Sequence, residues 1–169
     1  MKVTVTGHRP PEIGGYIVPN PTYDFIMDAT KRIFLTLKPE KIIVGGALGM
    51  DIWAAQCAYD LGIPYDLYVP FLGQESIWPE KSQEEYRLMR SRAADVIVVC
   101  GGNYAAWKMQ KRNEAMVNQL NNPEDRLVSC WNGNREGGTF NCVKYALSQN
   151  KKMIQINPLT KEIIGLGEQ

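Results

Sequence analysis

None of the four cysteines, Cys57, Cys100, Cys130 and Cys142, is close enough to another to form a CxxC pair, and His8 is the one histidine in 169 residues. That leaves too few ligands for a Cys/His zinc site, so no metal is expected. Isolated cysteines within or ending apolar segments fit buried free thiols in a reducing compartment. No apolar run approaches the roughly 20 residues that cross a bilayer. Met1–Val5 has the character of a strand and lacks the apolar core of a signal peptide. The expected location is the cytoplasm, with no membrane partner. Neither sign of charge is in excess: 19 Lys and Arg face 18 Asp and Glu, for a net charge of +1. No broad field therefore draws the chain to nucleic acid or to an anionic surface. The densest local basic cluster is Lys108, Lys111 and Arg112. Internal repeats, low-complexity segments and convincing linkers are also missing.

What remains is an ordinary globular composition, 44% hydrophobic and 22% charged. The length suits one domain whose core needs no disulfide or metal support. Short apolar runs alternate with helical patterns. Strands are expected at Lys2–Thr6, Lys41–Gly45, Tyr65–Val69, Asp95–Cys100, Arg126–Cys130 and Met153–Ile156. Helices are expected at Thr22–Leu37, Met50–Leu61, Ser82–Ala93, Trp107–Leu120 and Thr139–Gln149. In the first helix Tyr23, Ile26, Ile33, Phe34 and Leu37 share one face with Thr30, and Pro39 closes it. Pro70–Glu80 is a loop, either a lid or a plain connection. Alternating strands and helices predict an α/β, Rossmann-like, doubly wound fold: a mostly parallel sheet with helices on both faces. The domain is expected over residues 1–157, followed by a tail, 158–169, with room for one short strand at Glu162–Ile164.

Open parallel sheets bind ligands beyond the carboxyl ends of their strands. Three unusual segments fall at such ends. The first contains Thr6, Gly7, His8 and Arg9. Here His8 can act as a general acid, as a stacking group or as a satisfied loop histidine. The second runs from Gly45 and Gly46 through Ala47, Gly49 and Met50 to Asp51, where a strand turns into a helix. Its glycines permit either tight packing or close approach to a ligand, and the helix start suits a phosphate. Asp51 is placed either to cap that helix or to bond a ribose hydroxyl. The third segment runs from Gly133, Asn134, Arg135 and Glu136 to Gly137, Gly138 and Thr139, which precede a helix, with Thr139 as a cap or a phosphate ligand. Arg112, beside Asn113, shares a helix face with Met109 and Met116. A cation on an apolar stripe needs a partner or a route to water, and arginine is shaped for phosphate. Trp78 and Trp107 are candidates for stacking on a base.

With these residues in place, the chain resembles the SLOG superfamily from Met1 to about Ile156. That group includes the Lonely Guy phosphoribohydrolases, the DNA-processing protein DprA and the YpsA-like proteins. Thr6–Pro10 and Gly45–Asp51 look like YpsA-type motifs. Arg112-Asn113-Glu114-Ala115-Met116 is similar to the Arg-Lys-x-x-Met segment of the Lonely Guy enzymes. Gly137-Gly138-Thr139 is similar to a shortened form of their Gly-Gly-x-Gly-Thr-x-x-Glu turn. In those enzymes an Arg and a Glu act together on the N-glycosidic bond, the Glu lying three residues after the Thr. Arg112 matches the Arg, but the Glu position holds Cys142. A thiol does not reproduce a carboxylate's stabilisation of positive charge on a sugar. Glu114 or Glu136 would replace it only where geometry allows.

The expectation is a non-catalytic protein that senses or sequesters a phosphate-bearing, nucleotide-derived small molecule, with no resident cofactor and with homodimers as the expected assembly. The alternatives are a nucleoside 5′-monophosphate N-glycosidase and a DprA-like binder of single-stranded DNA. Near-neutral charge argues against the latter.

Overall fold

The computed structural model describes residues 1–167. Seven strands form one sheet: β1 (Lys2–Gly7), β2 (Lys41–Val44), β3 (Tyr65–Val69), β4 (Asp95–Val98), β5 (Arg126–Cys130), β6 (Lys152–Asn157) and β7 (Glu162–Ile164). Their spatial order is β4-β3-β2-β1-β5-β6-β7. Every pair is parallel except β6 with β7. Five α-helices connect them: α1 (Pro21–Leu37), α2 (Met50–Asp60), α3 (Glu80–Arg92), α4 (Ala106–Val117) and α5 (Gly137–Ser148). The expected mostly parallel, doubly wound sheet is the one observed, with α1, α2 and α3 packed together on one face and α4 with α5 on the other.

Local chemistry explains the elements. Asn20 caps α1 by accepting the Tyr23 N–H at 2.9 Å, and Pro21 fills the first helical position, where no N–H is needed. Ile26, Ala29, Ile33 and Phe34 bury one stripe against the sheet. Thr30 satisfies its buried hydroxyl by donating to the Ile26 carbonyl at 2.7 Å. Lys38 ends the helix in a left-handed turn at φ 49°, just before Pro39. In β1, Val3 and Val5 face the α1–α2 core while Thr4 faces α4, donating to the Met116 carbonyl at 2.9 Å. This alternation sends Thr6 to the α4–α5 side as well.

Several boundaries differ from the sequence reading. The fourth helix of the chain ends at Val117, not Leu120, and the Pro70–Glu80 loop contains a 3-10 turn at Gln74–Ile77. The short strand at Glu162–Ile164 forms and pairs with β6. The basic cluster is not a surface patch. Lys108 and Arg112 are buried, and only Lys111 is exposed. The Lys108 ammonium turns inward to the carbonyls of Gly101 and Asn103, because the chain before α4 closes over it.

Candidate functional site

Strand order fixes the position of the site. From β1 the chain winds outward through β2, β3 and β4, then α4 carries it back across to β5 on the other side of β1. The connections on either side of β1 diverge there and leave a crevice at the strand ends, the usual ligand position in such sheets. A cleft of about 310 Å³ opens at that point. Thr6, Gly7, His8, Arg9, Ala47, Asp51, Arg112, Asn113, Gly137, Gly138 and Thr139 all line it. A more apolar cavity of about 400 Å³ lies among α1, α2 and α3 and meets the cleft at Tyr16.

The other four residues expected at the site, Gly45, Gly46, Gly49 and Met50, lie behind the cleft wall. A Cβ on Gly7 would lie 2.5 Å from Met50, and one on Gly49 would lie 2.7 Å from the His8 carbonyl oxygen. The Met50 N–H donates to that same oxygen at 3.2 Å. These glycines therefore let the two turns close on each other. Gly46, at φ 74°, faces Leu67, and Gly45 faces Arg112. The Ala47 N–H is taken by the Asp51 carboxylate at 3.0 Å. Backbone carbonyls of the β2–α2 turn are paired from outside, that of Gly45 by Arg112 and that of Gly46 by the Gln74 amide at 3.4 Å.

The α5 turn is different. Glu136 precedes the helix without a side-chain cap, and a Cβ on Gly137 or Gly138 would meet nothing within 4 Å. Among the described residues no side chain caps the N–H groups of this first helical turn, and Gly137, Gly138 and Thr139 line the cleft. Arg112 reaches the same cleft from α4. Its Nε donates to the Asn113 side-chain oxygen at 3.0 Å, and its Nη1 donates to the Gly45 carbonyl. Among the described residues no hydrogen bond involves Nη2. Burial lowers the Arg112 pKa, and Asp51 opposes that shift. Burial raises the Asp51 pKa, while Arg112, the Ala47 N–H and Arg9 pull it back.

His8 is 7% exposed, and its Nε2 accepts the Asn132 N–H at 3.1 Å. That bond requires a lone pair on Nε2 and ties the end of β1 to the loop before α5. Burial lowers the His8 pKa below 6.5, against the opposing influence of the Asn132 side chain and Glu12. The arrangement fits a neutral structural link better than a proton donor.

Cys142 is fully buried, one turn inside α5 from Thr139. Burial pushes its thiol up to about 11, although Thr6 and Arg112 favour the thiolate. Of the two possible substitutes for the missing carboxylate, Glu136 lines the cleft and Glu114 does not. The sequence reading missed Pro11, Glu12, Tyr16 and Met109 as lining residues, whereas Asn134 belongs to the third segment it singled out. Pro11, Glu12 and Tyr16 belong to a segment that folds back over β1 through the 3-10 turn Pro10–Glu12, with Ile13 as its buried anchor. Trp78 packs edge-on against Tyr86 at 5.6 Å, and Trp107 is exposed.

The fold and the cleft define a Rossmann-like α/β domain with a polar site at its topological switch point. The chain belongs to the YspA SLOG family, which matches it over residues 3–162. It is 28% identical over 166 residues to the UPF0398 protein of Bacillus cereus strain B4264, covering 92% of this chain and 86% of that protein. A UPF0398 protein of Bacillus thuringiensis strain Al Hakam matches at the same identity and coverage. Among solved structures, DNA processing protein A of Streptococcus pneumoniae superposes with a TM-score of 0.62 at 14% identity, covering 91% of this chain and 49% of that one. The Helicobacter pylori protein of the same name gives 0.60 at 17% identity, with 92% and 64% covered. The chain therefore spans about half to two thirds of those structures, and the likeness lies in the fold.

Proposed function

We propose that the protein binds a phosphate-bearing, nucleotide-type small molecule in the switch-point cleft and acts as a non-catalytic sensor or sequestering protein in the cytoplasm. The observation that carries this reading is the meeting of two anion-attracting features in one cleft. They are the open, uncapped start of α5 at Gly137–Thr139 and the buried Arg112 guanidinium. Glu12 and Glu136 line the same cleft and would accept hydrogen bonds from sugar hydroxyls.

The structure of the Helicobacter pylori neighbour describes single-stranded DNA binding. A strand needs a basic groove along several phosphates. This cleft instead sets Arg9 and Arg112 against three carboxylates, Glu12, Asp51 and Glu136. That balance suits one phosphate with a sugar attached. Denaturing the purified protein and identifying released small molecules by mass spectrometry, followed by titration with a nucleoside monophosphate panel, tests the proposal. A bound or binding nucleotide is expected. Binding of oligonucleotides alone would overturn it.

A further inference from the structure

Beyond Arg9 and Met109 the cleft continues into a second cavity of about 200 Å³, and both residues line both spaces. This cavity lies between the Gln74–Ile77 turn and the start of α4. Its volume is below the roughly 300 Å³ at which pockets hold a whole drug-sized ligand, so it suits a fragment of one. Its walls include Phe71, Trp78 and Tyr104. Phe71 is buried, and Tyr104 meets it edge-to-face with ring centroids 6.1 Å apart and planes at 82°. The Lys108 ammonium stands 5.8 Å from the Phe71 centroid. Tyr104 itself is 67% exposed and lines the cavity, so much of its ring is open to a ligand. Ser76 and Arg9 add hydrogen-bonding groups at the margin.

We propose that this cavity is the nucleobase subsite of the cleft, with Tyr104 as the stacking platform and Arg9 at the junction between base and phosphate. The assignment rests on the phosphate-binding reading and narrows it to nucleoside 5′-phosphates over plain sugar phosphates. Every base presents a flat π-face, and an aromatic wall beside a phosphate site takes up that feature. A sugar phosphate would leave the aromatic wall unused.

The test is calorimetric titration of the whole protein with AMP, GMP, CMP, UMP and ribose 5-phosphate, using wild type, Tyr104→Ala and Tyr104→Phe. Wild type is expected to bind at least one nucleotide on the order of ten-fold more tightly than ribose 5-phosphate. Tyr104→Ala should remove that preference and leave ribose 5-phosphate binding unchanged, and Tyr104→Phe should retain it. Melting curves confirm that these variants at an exposed position are folded. Equal affinities in wild type, or an unchanged preference in Tyr104→Ala, would overturn the subsite while leaving the phosphate site standing. Failure of all five compounds to bind would overturn both. A thymidine oligonucleotide that binds more tightly than any mononucleotide, and loses that binding in Tyr104→Ala, would reassign the wall to a strand and overturn the mononucleotide proposal.

Discussion

The Arg112 guanidinium rests directly on Gly45, donating to its carbonyl, and a methyl group on Gly45 would lie 2.9 Å from the guanidinium carbon. One contact thus joins helix α4 to the end of β2 and holds a buried cation at the cleft. Arg112 has two roles: it satisfies a buried carbonyl and presents a charge.

Arg112→Ala should therefore affect both stability and binding. The Gly45 carbonyl loses its donor, and the Asp51 carboxylate loses a compensating charge. A stability loss of about 1.5–3 kcal/mol is expected, with a comparable loss in nucleotide affinity. Urea denaturation and calorimetry on the same preparation separate the two effects. Arg112→Lys, which keeps the charge but not the fork, should recover only part of each. Full affinity in folded Arg112→Ala would remove Arg112 from the ligand site.

The two glycine turns should respond differently to valine. Gly138 points into open space and is not left-handed, so Gly138→Val is expected to fold with stability changed by less than about 1 kcal/mol. Its side chain would obstruct the start of α5, and nucleotide binding should be lost. Gly46 lies at φ 74°, with Leu67 Cδ1 2.7 Å from an added Cβ. Gly46→Val combines backbone strain with overpacking and should cost about 2–4 kcal/mol. Chemical denaturation checks the contrast, and normal affinity in Gly138→Val would remove the α5 turn from the site.

Much of the fold was legible because periodicity reports which face is buried. The stripe of α1 and the β-branched run Ile42–Val44 announce themselves, and the glycine-rich strand ends pointed to the switch point. The role of each glycine was not legible. Gly7 and Gly49 are small because Met50 and the His8 carbonyl approach them, and those contacts join residues distant in sequence. The direction of Lys108 was hidden for a similar reason: its partners are carbonyls in the Gly101–Asn103 loop, whose path no periodicity encodes. Tyr104 carried no sequence signal, since its significance depends on its edge-to-face contact with Phe71, more than thirty residues away in the chain.

The His8 link should make stability pH-dependent. Its pKa is lowered on folding, so the unfolded chain takes up a proton first as pH falls. The contribution of neutral His8 is complete above pH 6.5 and declines as pH drops below 6.5 through the lowered folded value. Asp51 acts in the opposite sense, because its raised pKa lets the folded state take up its proton before the unfolded chain. Comparing wild type with His8→Gln isolates the histidine. The difference between their unfolding free energies should shrink as the solution is acidified from pH 7 to pH 5. A pH-independent difference would show that His8 does not titrate on unfolding.

The last prediction is binding without turnover. Cleaving a base from its sugar places positive charge on the sugar, and a carboxylate beside that charge lowers the barrier. The residue at the relevant α5 position, Cys142, is fully buried, and its thiol is pushed up to about 11. It is protonated at neutral pH and withheld from the cleft, so it supplies no charge there. The carboxylates that do line the cleft are Glu12, Asp51 and Glu136. Asp51 is committed to the Ala47 N–H at 3.0 Å and lies under the influence of Arg112 and Arg9. Arg112 and the α5 turn attract phosphate equally before and after bond cleavage, which contributes affinity without accelerating the reaction. Chromatography of a nucleoside monophosphate panel incubated with the wild-type protein should therefore show no free base above the uncatalysed background. Robust base release would overturn the non-catalytic reading. Loss of that release in Asp51→Asn or Glu136→Gln, with binding retained, would then identify the carboxylate responsible.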